Sequence, residues 1–271
     1  MYNLLKKIFK NPFSDLGISS KKIKSLKKIK KYCIHKEKMF GKTITVTHPF
    51  WFSHSIEEIF LEEIYKFKSD KEDPLIIDCG ANWGLSIIYF KKLYPKSKII
   101  AFEADENIFK ILKDNIEEFE LDKIQLLNMA VWKDEGYIEF SSEGSLGGTV
   151  TSLGVSNNNI NRVKSFRLRN FLENEKVDFL KIDIEGAEYE VLRDCKDVLN
   201  NATYLFVEYH SLVKQKQSLD EILYFIKEAG FRYYVKEANK NMIHPFIDKF
   251  PDAFDLQLNI FCYRPDSKKN R

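Results

Sequence analysis

The sequence predicts an α/β fold in which a mostly parallel sheet is sandwiched between helices. Three observations carry that reading. Short apolar runs recur from residue 75 onward, each separated from the next by a helix-length segment. The runs are almost uniformly apolar rather than alternating, as in strands covered on both faces. A glycine-bearing turn lies where the first run hands over to a helix.

The bulk properties agree and exclude some alternatives. A chain of 271 residues suits one larger α/β domain with an appendage. With 44% hydrophobic residues it can bury a sizeable core, so wholesale disorder is excluded. Cys33, Cys79, Cys195 and Cys262 are scattered and form no CxxC pair, which predicts a reduced, cytoplasmic protein without a zinc site of common spacing. No apolar run reaches the roughly 18–20 residues that span a bilayer, and the N-terminus lacks a secretory-signal pattern. The charge is unevenly spread. Up to Lys38 there are 12 lysines against Asp15 and Glu37, whereas the remainder carries 31 basic and 38 acidic residues.

Four units are expected: a basic helical leader over 1–40, an N-terminal segment over 41–72 packing on the core, the main domain over 73–265 and a frayed tail over 266–271. In the leader, Leu4, Leu5, Ile8 and Phe9 sit at helical spacing, and Ile23, Leu26, Ile29 and Cys33 repeat on a second lysine-rich stretch. Two readings stand: residues 1–38 touch an anionic membrane at the inner face, or their apolar side packs on the domain. Nucleic acid is not expected, because stacking aromatics are not interleaved with the lysines. Thr43–Thr47 reads as a strand. A helix is expected from about Ser55, with Glu57 and Glu58 in its first turn. Phe50-Trp51-Phe52, flanked by His48 and His54, is either a wall of an acceptor pocket or a hydrophobic plug. Ser69–Asp73, closed by Pro74, is a linker.

Beyond Pro74, strands are expected at Leu75–Asp78, Ile99–Glu103 and Ile124–Asn128, with helices over Gly84–Leu93 and Asn107–Phe119 between them. Tyr137–Phe140 is a short strand, followed by a small-residue loop, Ser141–Thr149, and an Asn-rich run, Asn157–Asn161. Strands Asp178–Asp183 and Tyr204–Glu208 bracket a helix over Ala187–Leu199. A helix over Leu219–Ala229, closed by Gly230, leads to an antiparallel pair, Phe231–Val235 and Leu256–Tyr263.

The turn Asp78-Cys-Gly80-Ala81-Asn82-Trp-Gly84 is the candidate cofactor site. Glycine allows a sharp turn and a close ligand approach, and the helix N-terminus favours a carboxylate. Asp78 is placed to accept from the ligand's ammonium group. Glu103, 19 residues after Gly84, ends the next strand, where a carboxylate can accept both ribose hydroxyls. The dinucleotide fingerprint needs glycine where Asn82 stands, because a side chain there would crowd a pyrophosphate. S-adenosylmethionine has no phosphate and is favoured over a nicotinamide cofactor. A glycine turn required only for helix–strand packing is the plainer alternative.

These residues carry a resemblance. Leu75–Ser86, Ala101-Phe-Glu103, Asn128-Met-Ala-Val131, Asp178–Glu188 and Val207-Glu-Tyr-His210 resemble the FkbM family of methyltransferases, from about Asp73 to His210. Lys181-Ile-Asp-Ile-Glu-Gly-Ala-Glu188 is the most specific element. The resemblance implies a Rossmann-like class I methyltransferase fold, with a seven-stranded, mostly parallel sheet whose last strand is antiparallel. It implies S-adenosylmethionine as cofactor and O-methylation of a hydroxyl on a sugar or other small molecule. It places Asp78, Gly80, Ala81, Asn82 and Gly84 at the methionine end, Glu103 and Ala104 by the ribose, and Asn128 and Ala130 near the adenine. Ala104-Asp105 departs from the family, which often has proline after the acid.

Asp183, Glu185, Glu208 and His210 lie beyond strand ends, where ligands of open α/β sheets bind. They are the candidate catalytic residues. His210 titrates nearest neutrality and is one candidate base; Asp183, at the end of a buried strand, is the other. His210 read as a structural histidine is the competing view. Glu185 could cap the following helix, Glu188 is expected on the helix surface or beside a basic residue, and Lys181 needs a carboxylate partner. Asp183, Glu208 and His210 could also hold Mg²⁺, although nothing in the spacing demands a metal. A non-catalytic scaffold held at a membrane by the leader is the alternative function.

Overall fold

The structure is a computed structural model, and it describes residues 11–142, 148–150, 160–240, 242–249 and 253–264. The first lysine-rich segment, with Leu4, Leu5, Ile8 and Phe9, lies outside these residues, as does the expected tail. The second segment forms α1 (Ser20–Leu26), capped by the Ser19 side chain, which accepts from Lys22 N. Ile23 and Leu26 are buried in the core, so this helix presents its apolar side to the protein rather than to a membrane.

A hairpin follows, β1 (His35–Met39) and β2 (Lys42–Val46). Its turn, Phe40-Gly41, has positive φ at both positions, 53° and 81°, the backbone hand that matches strand twist. Helix α2 (Pro49–Ile56) begins six residues before the expected start at Ser55. Pro49 occupies the first turn, where its missing N–H costs nothing, and His48 Nδ1 accepts from Trp51 N at 3.5 Å. The helix widens into a π-turn over Glu57–Leu61, with Glu62 N donating to Glu57 O at 2.9 Å. Glu57 and Glu58 therefore sit near the end of the helical segment, not in its first turn.

The main domain alternates as expected: β3 (Leu75–Cys79), α3 (Leu85–Leu93), β4 (Lys98–Phe102), α4 (Glu106–Glu118) and β5 (Ile124–Leu127). Asp105 caps α4, accepting from Asn107 N and Ile108 N. Three short strands, β6 (Ala130–Trp132), β7 (Gly136–Ser142) and β8 (Gly148–Val150), precede β9 (Ile160–Arg167) and α5 (Leu168–Leu172). Then come β10 (Val177–Ile182), α6 (Glu188–Cys195), β11 (Ala202–Leu212), α7 (Leu219–Glu228), β12 (Arg232–Asn239) and β13 (Phe254–Tyr263). Helix α6 stops at Cys195 instead of running to Leu199.

The main sheet has the order β12-β13-β11-β10-β3-β4-β5. Only β13 runs antiparallel to its neighbours, pairing with β11 and β12; the other pairs are parallel. Alternate residues of the central strands serve two cores. Ile76, Phe179 and Phe206 join α3, α4, α1 and the N-terminal hairpin. Ile77, Leu180 and Leu205 join α5, α6 and α7. Strand order reverses between β3 and β10, which opens a crevice at their carboxyl ends.

A second sheet, ordered β6-β9-β7-β8, goes beyond the elements expected from sequence. The expected lone strand Tyr137–Phe140 is its β7, paired with β9. Of the small-residue loop, Ser141 and Ser142 end β7 and 148–150 form β8, while 143–147 and most of the Asn-rich run lie outside the described residues. All four cysteines are free. Among the described residues no helix is long and apolar enough to cross a membrane.

Candidate active site

The glycine turn is set by protein neighbours. Gly80 N and Ala81 N both donate to Phe102 O, at 3.0 and 2.9 Å. Gly80 has φ 89°, and a Cβ there would lie 1.8 Å from the Asp183 carbonyl oxygen. A Cβ on Gly84 would lie 2.8 Å from Leu112 Cδ1. Ligand approach is the role expected of these glycines from sequence; the structure assigns them to the passage of β10 and the packing of α4. The turn still shapes a ligand cradle, because it directs Ala81 and Asn82 at the crevice.

Asp78 is fully buried and does not line that crevice. It accepts from Ser86 Oγ, and its Oδ1 lies 3.2 Å from Lys181 Nζ. Lys181 also pairs with Asp183 Oδ2 at 3.1 Å and donates to Gly80 O at 2.8 Å. Burial alone would depress the Lys181 pKa, but Asp183 and Asp78 hold it well above the ordinary lysine value. The ammonium thus ties β3, the glycine turn and β10 together. The expected contact between Asp78 and a ligand ammonium gives way to this buried ion cluster, because Ser86 and Lys181 surround the carboxylate.

The crevice is a cavity of about 530 Å³, within the range of small-molecule sites. At one end it is bounded by Gly80, Ala81, Asn82, Glu103, Ala104 and Ala130. Glu103 accepts from Asn82 N through Oε2 and from Asp105 N through Oε1, both at 2.9 Å. Burial pushes its pKa up to about 7, although those two N–H donors favour the charged form. Asn82 has φ 47°, and its Oδ1 is buried without a hydrogen-bond partner. A buried, unpartnered acceptor beside a carboxylate suits a ligand with an ammonium group and hydroxyls. Asn128 lies behind the cavity, its Nδ2 donating to Glu103 O at 2.8 Å and Ala104 O at 3.2 Å. It shapes the site, and Met129, Ala130 and Val131 supply the apolar wall. Gly84 and Asn128 are therefore not wall residues.

The other end gathers Asp183, Glu185, Glu208 and His210, together with Trp51, His54, Glu58 and Phe254. His210 is buried among three carboxylates. Its Nδ1 lies 3.2 Å from Glu188 Oε1, and its Nε2 lies 3.4 Å from Glu185 Oε2 and 3.6 Å from Glu208 Oε1. Burial would lower its pKa, but Glu185 and Glu188 reverse this and hold it well above 6.5. Carboxylates that favour the protonated imidazole weaken the case for His210 as the base. Glu188 is buried too, contrary to the surface position expected. Its carboxylate accepts from Ile184 N and Gly186 N, the task expected of Glu185. Glu185 instead adopts φ 54° and lines the cavity.

Ligand atoms of Asp183, Glu185 and His210 lie within 4.8 Å of one another. Both ring nitrogens of His210 are directed at carboxylates, and an imidazole in the ligand set suits transition metals better than Mg²⁺, which prefers oxygen ligands. Nothing in the arrangement calls for Mg²⁺.

Trp51 and His54 form one wall, whereas Phe52 is buried in the core, so the aromatic segment is wall on one face and plug on the other. Glu58 is a site residue that the sequence reading does not pick out. Burial pushes its pKa up to about 7, reinforced by Glu62, Asp183 and Glu57. The clue lies in the spacing: Trp51, His54, Ser55, Glu58 and Ile59 share a helical face.

This strand order, with one antiparallel strand and a carboxylate-lined crevice at the switch point, defines the Rossmann-like fold of S-adenosylmethionine-dependent methyltransferases. Residues 78–233 match the family model of the methyltransferase FkbM domain, and the chain belongs to that family. It is 25% identical over 162 residues to 2-O-methyltransferase NoeI of Sinorhizobium fredii, covering 52% of this chain and 65% of that one. It is 24% identical over 172 residues to hexuronic acid methyltransferase AglP of Haloferax volcanii, covering 63% and 69%. The chain spans just under two thirds of the length of the first curated relatives it matches. A solved S-adenosylmethionine-dependent methyltransferase from Agrobacterium tumefaciens shares the fold at 10% identity, with a TM-score of 0.50 over 86% of this chain and 70% of that one.

Proposed function

We propose that this chain methylates a hydroxyl group of a sugar or sugar-bearing small molecule, with S-adenosylmethionine as methyl donor. The observation that carries this reading is one cavity with two chemically distinct ends. The end formed by Asn82, Glu103 and Ala130 suits an aminoacyl nucleoside. The end formed by Trp51, Phe254 and four carboxylates suits a polyhydroxylated ring, since aromatic faces stack on sugars and carboxylates accept from hydroxyls. The relatives NoeI and AglP, named for 2-O-methyl transfer and for a hexuronic acid, support the same chemistry.

The bound donor supplies an electrophilic methyl group on a sulfonium. The protein's part is to hold the acceptor oxygen in line with it, which can account for much of the acceleration. Glu103 grips the ribose diol. Asn82 Oδ1 accepts from the ammonium group. Asp183, fixed by Lys181, and Glu185 and Glu208, fixed by His210, orient the acceptor's hydroxyls. Calorimetry with S-adenosylhomocysteine tests the reading: the wild type should release heat on binding, and Glu103→Gln, which weakens the ribose contact, should bind less tightly. A screen of glycosides with radiolabelled donor then identifies the acceptor. No binding by the wild type would reject the proposal.

A further inference from the structure

The acceptor end holds several acids, and they differ in one respect: which of them already has a cation. Asp183 is paired with Lys181. Glu185 and Glu208 are paired with His210. Glu58 lines the same cavity, yet among the described residues no hydrogen bond or ion pair reaches its carboxylate. It sits on the π-turn Glu57–Leu61 that follows α2. Such turns redirect a side chain relative to a regular helix and are frequent at functional sites. Glu58 also lies outside the stretch 78–233 that matches the family, so the N-terminal segment delivers it to a site the domain builds.

We propose that Glu58 is the general base that takes the proton from the acceptor hydroxyl. This rests on the methyltransferase reading and deepens it. As the hydroxyl oxygen bonds to the methyl carbon, the carbon–sulfur bond breaks and its electron pair stays on sulfur. The hydroxyl proton passes to the Glu58 carboxylate and later to water, so charge and atoms balance. Asp183 and Glu185 are poorer candidates, because a carboxylate held by a cation is a weaker base; Glu208 is the competing acid, since burial and Asp183 raise its pKa despite His210.

The charged and titratable surroundings favour this assignment. Glu57 and Glu62 on the same segment and Asp183 on the facing strand all raise the Glu58 pKa, alongside burial, to about 7. Glu58 in turn raises Glu208. Lys27 and Lys236 are directed away from it, at Glu57 and Glu62. His54 shares the wall and is a further rival, since burial and Lys27 lower its pKa.

Three measurements on the full chain test the proposal. Carbon-13 titration of glutamate-labelled protein should show one carboxyl, absent from Glu58→Gln, titrating near 7. Turnover of labelled S-adenosylmethionine with a panel of methyl hexopyranosides should fall by roughly 10²–10⁴-fold in Glu58→Gln. The fall should lie mainly in kcat, and the acidic limb of the kcat profile at saturating S-adenosylmethionine should vanish, while any limb that Glu103 gives to donor binding remains. Calorimetry with S-adenosylhomocysteine should give the same affinity in both proteins, which separates loss of the base from loss of the fold. A Glu58 carboxyl titrating near 4.5 would overturn the idea, whether or not any hexoside is turned over. So would a Glu58→Gln enzyme with an unchanged profile, or a loss found in His54→Gln instead. Failure of the wild type to bind S-adenosylhomocysteine would remove the methyltransferase reading itself.

Discussion

At the scale of single residues, two groups connect pH to behaviour in opposite directions. Glu103 accepts hydroxyls best when ionised, and burial holds its pKa at about 7. Affinity for S-adenosylhomocysteine should therefore weaken as pH falls through about 7, because binding must first remove a proton. Glu103→Gln should bind roughly 10–100-fold more weakly, as expected for losing hydrogen bonds to a charged group, and its affinity should no longer vary with pH there. Calorimetry between about pH 5.5 and 8.5 measures both. His210 has the opposite sign. Its folded pKa is raised above 6.5, so its stabilising contribution is complete below that value and is lost as pH rises through the raised one. His210→Gln leaves Glu185, Glu188 and Glu208 without their shared cation and should cost about 3–5 kcal/mol near pH 6. The Tm gap to the wild type should narrow at alkaline pH. A gap that widens there would contradict the cationic assignment. The residue types and strand-end positions are legible in the sequence; their pairing is not, because Glu188 and His210 are brought together only by the fold.

At the scale of elements, segments governed by one period are legible in the sequence, and segments decided by their neighbours are not. Strands β3, β4, β10 and β11 are apolar on both faces and stand out at once. Helix α2 is misplaced because Glu57 and Glu58 resemble an acidic first turn, whereas the start is fixed by Pro49 and His48. The second sheet escapes notice because β9, Ile160–Arg167, is largely polar and depends on pairing with β6 and β7. One contact joins the hairpin to the domain without any local signal. Asn115, buried on α4, accepts from Thr45 N at 2.8 Å and donates to Thr45 O at 2.8 Å and Trp83 O at 2.9 Å. Asn115→Ala leaves three backbone groups unsatisfied and should cost about 2–4 kcal/mol in urea unfolding. It should also speed hydrogen exchange at the Thr45 amide. Unchanged exchange would mean that the hairpin's other contacts, among them Thr43 N to Glu118 Oε1, hold it without Asn115.

For the whole molecule, the apolar core extends beyond the matched stretch 78–233. One apolar cluster runs from Phe13 and Leu16 through Ile44, Phe52 and Ile59 to Ile76, Trp83 and Ile87. The leader, the N-terminal segment and the first face of the sheet therefore share one core. At the other end, β13 pairs with β11 along Tyr204–Leu212, so ending the chain at residue 233 would leave a long hydrogen-bonding edge open. The expected division into a leader, a segment and a domain follows composition, whereas the described residues of all three contribute to one apolar cluster. Residues 11–72 and 73–264 should consequently unfold together. Variants that keep either Trp51, on α2, or Trp132, on β6, as the sole tryptophan report from the two sides. Within each variant, the fluorescence and far-ultraviolet circular dichroism midpoints in urea should coincide, as they do for a two-state protein. An earlier fluorescence transition confined to the Trp51 variant would show a separable N-terminal unit. Coincidence would mean that the cavity wall carrying Trp51, His54 and Glu58 is as stable as the sheet behind it, so the acceptor end is built before any ligand arrives.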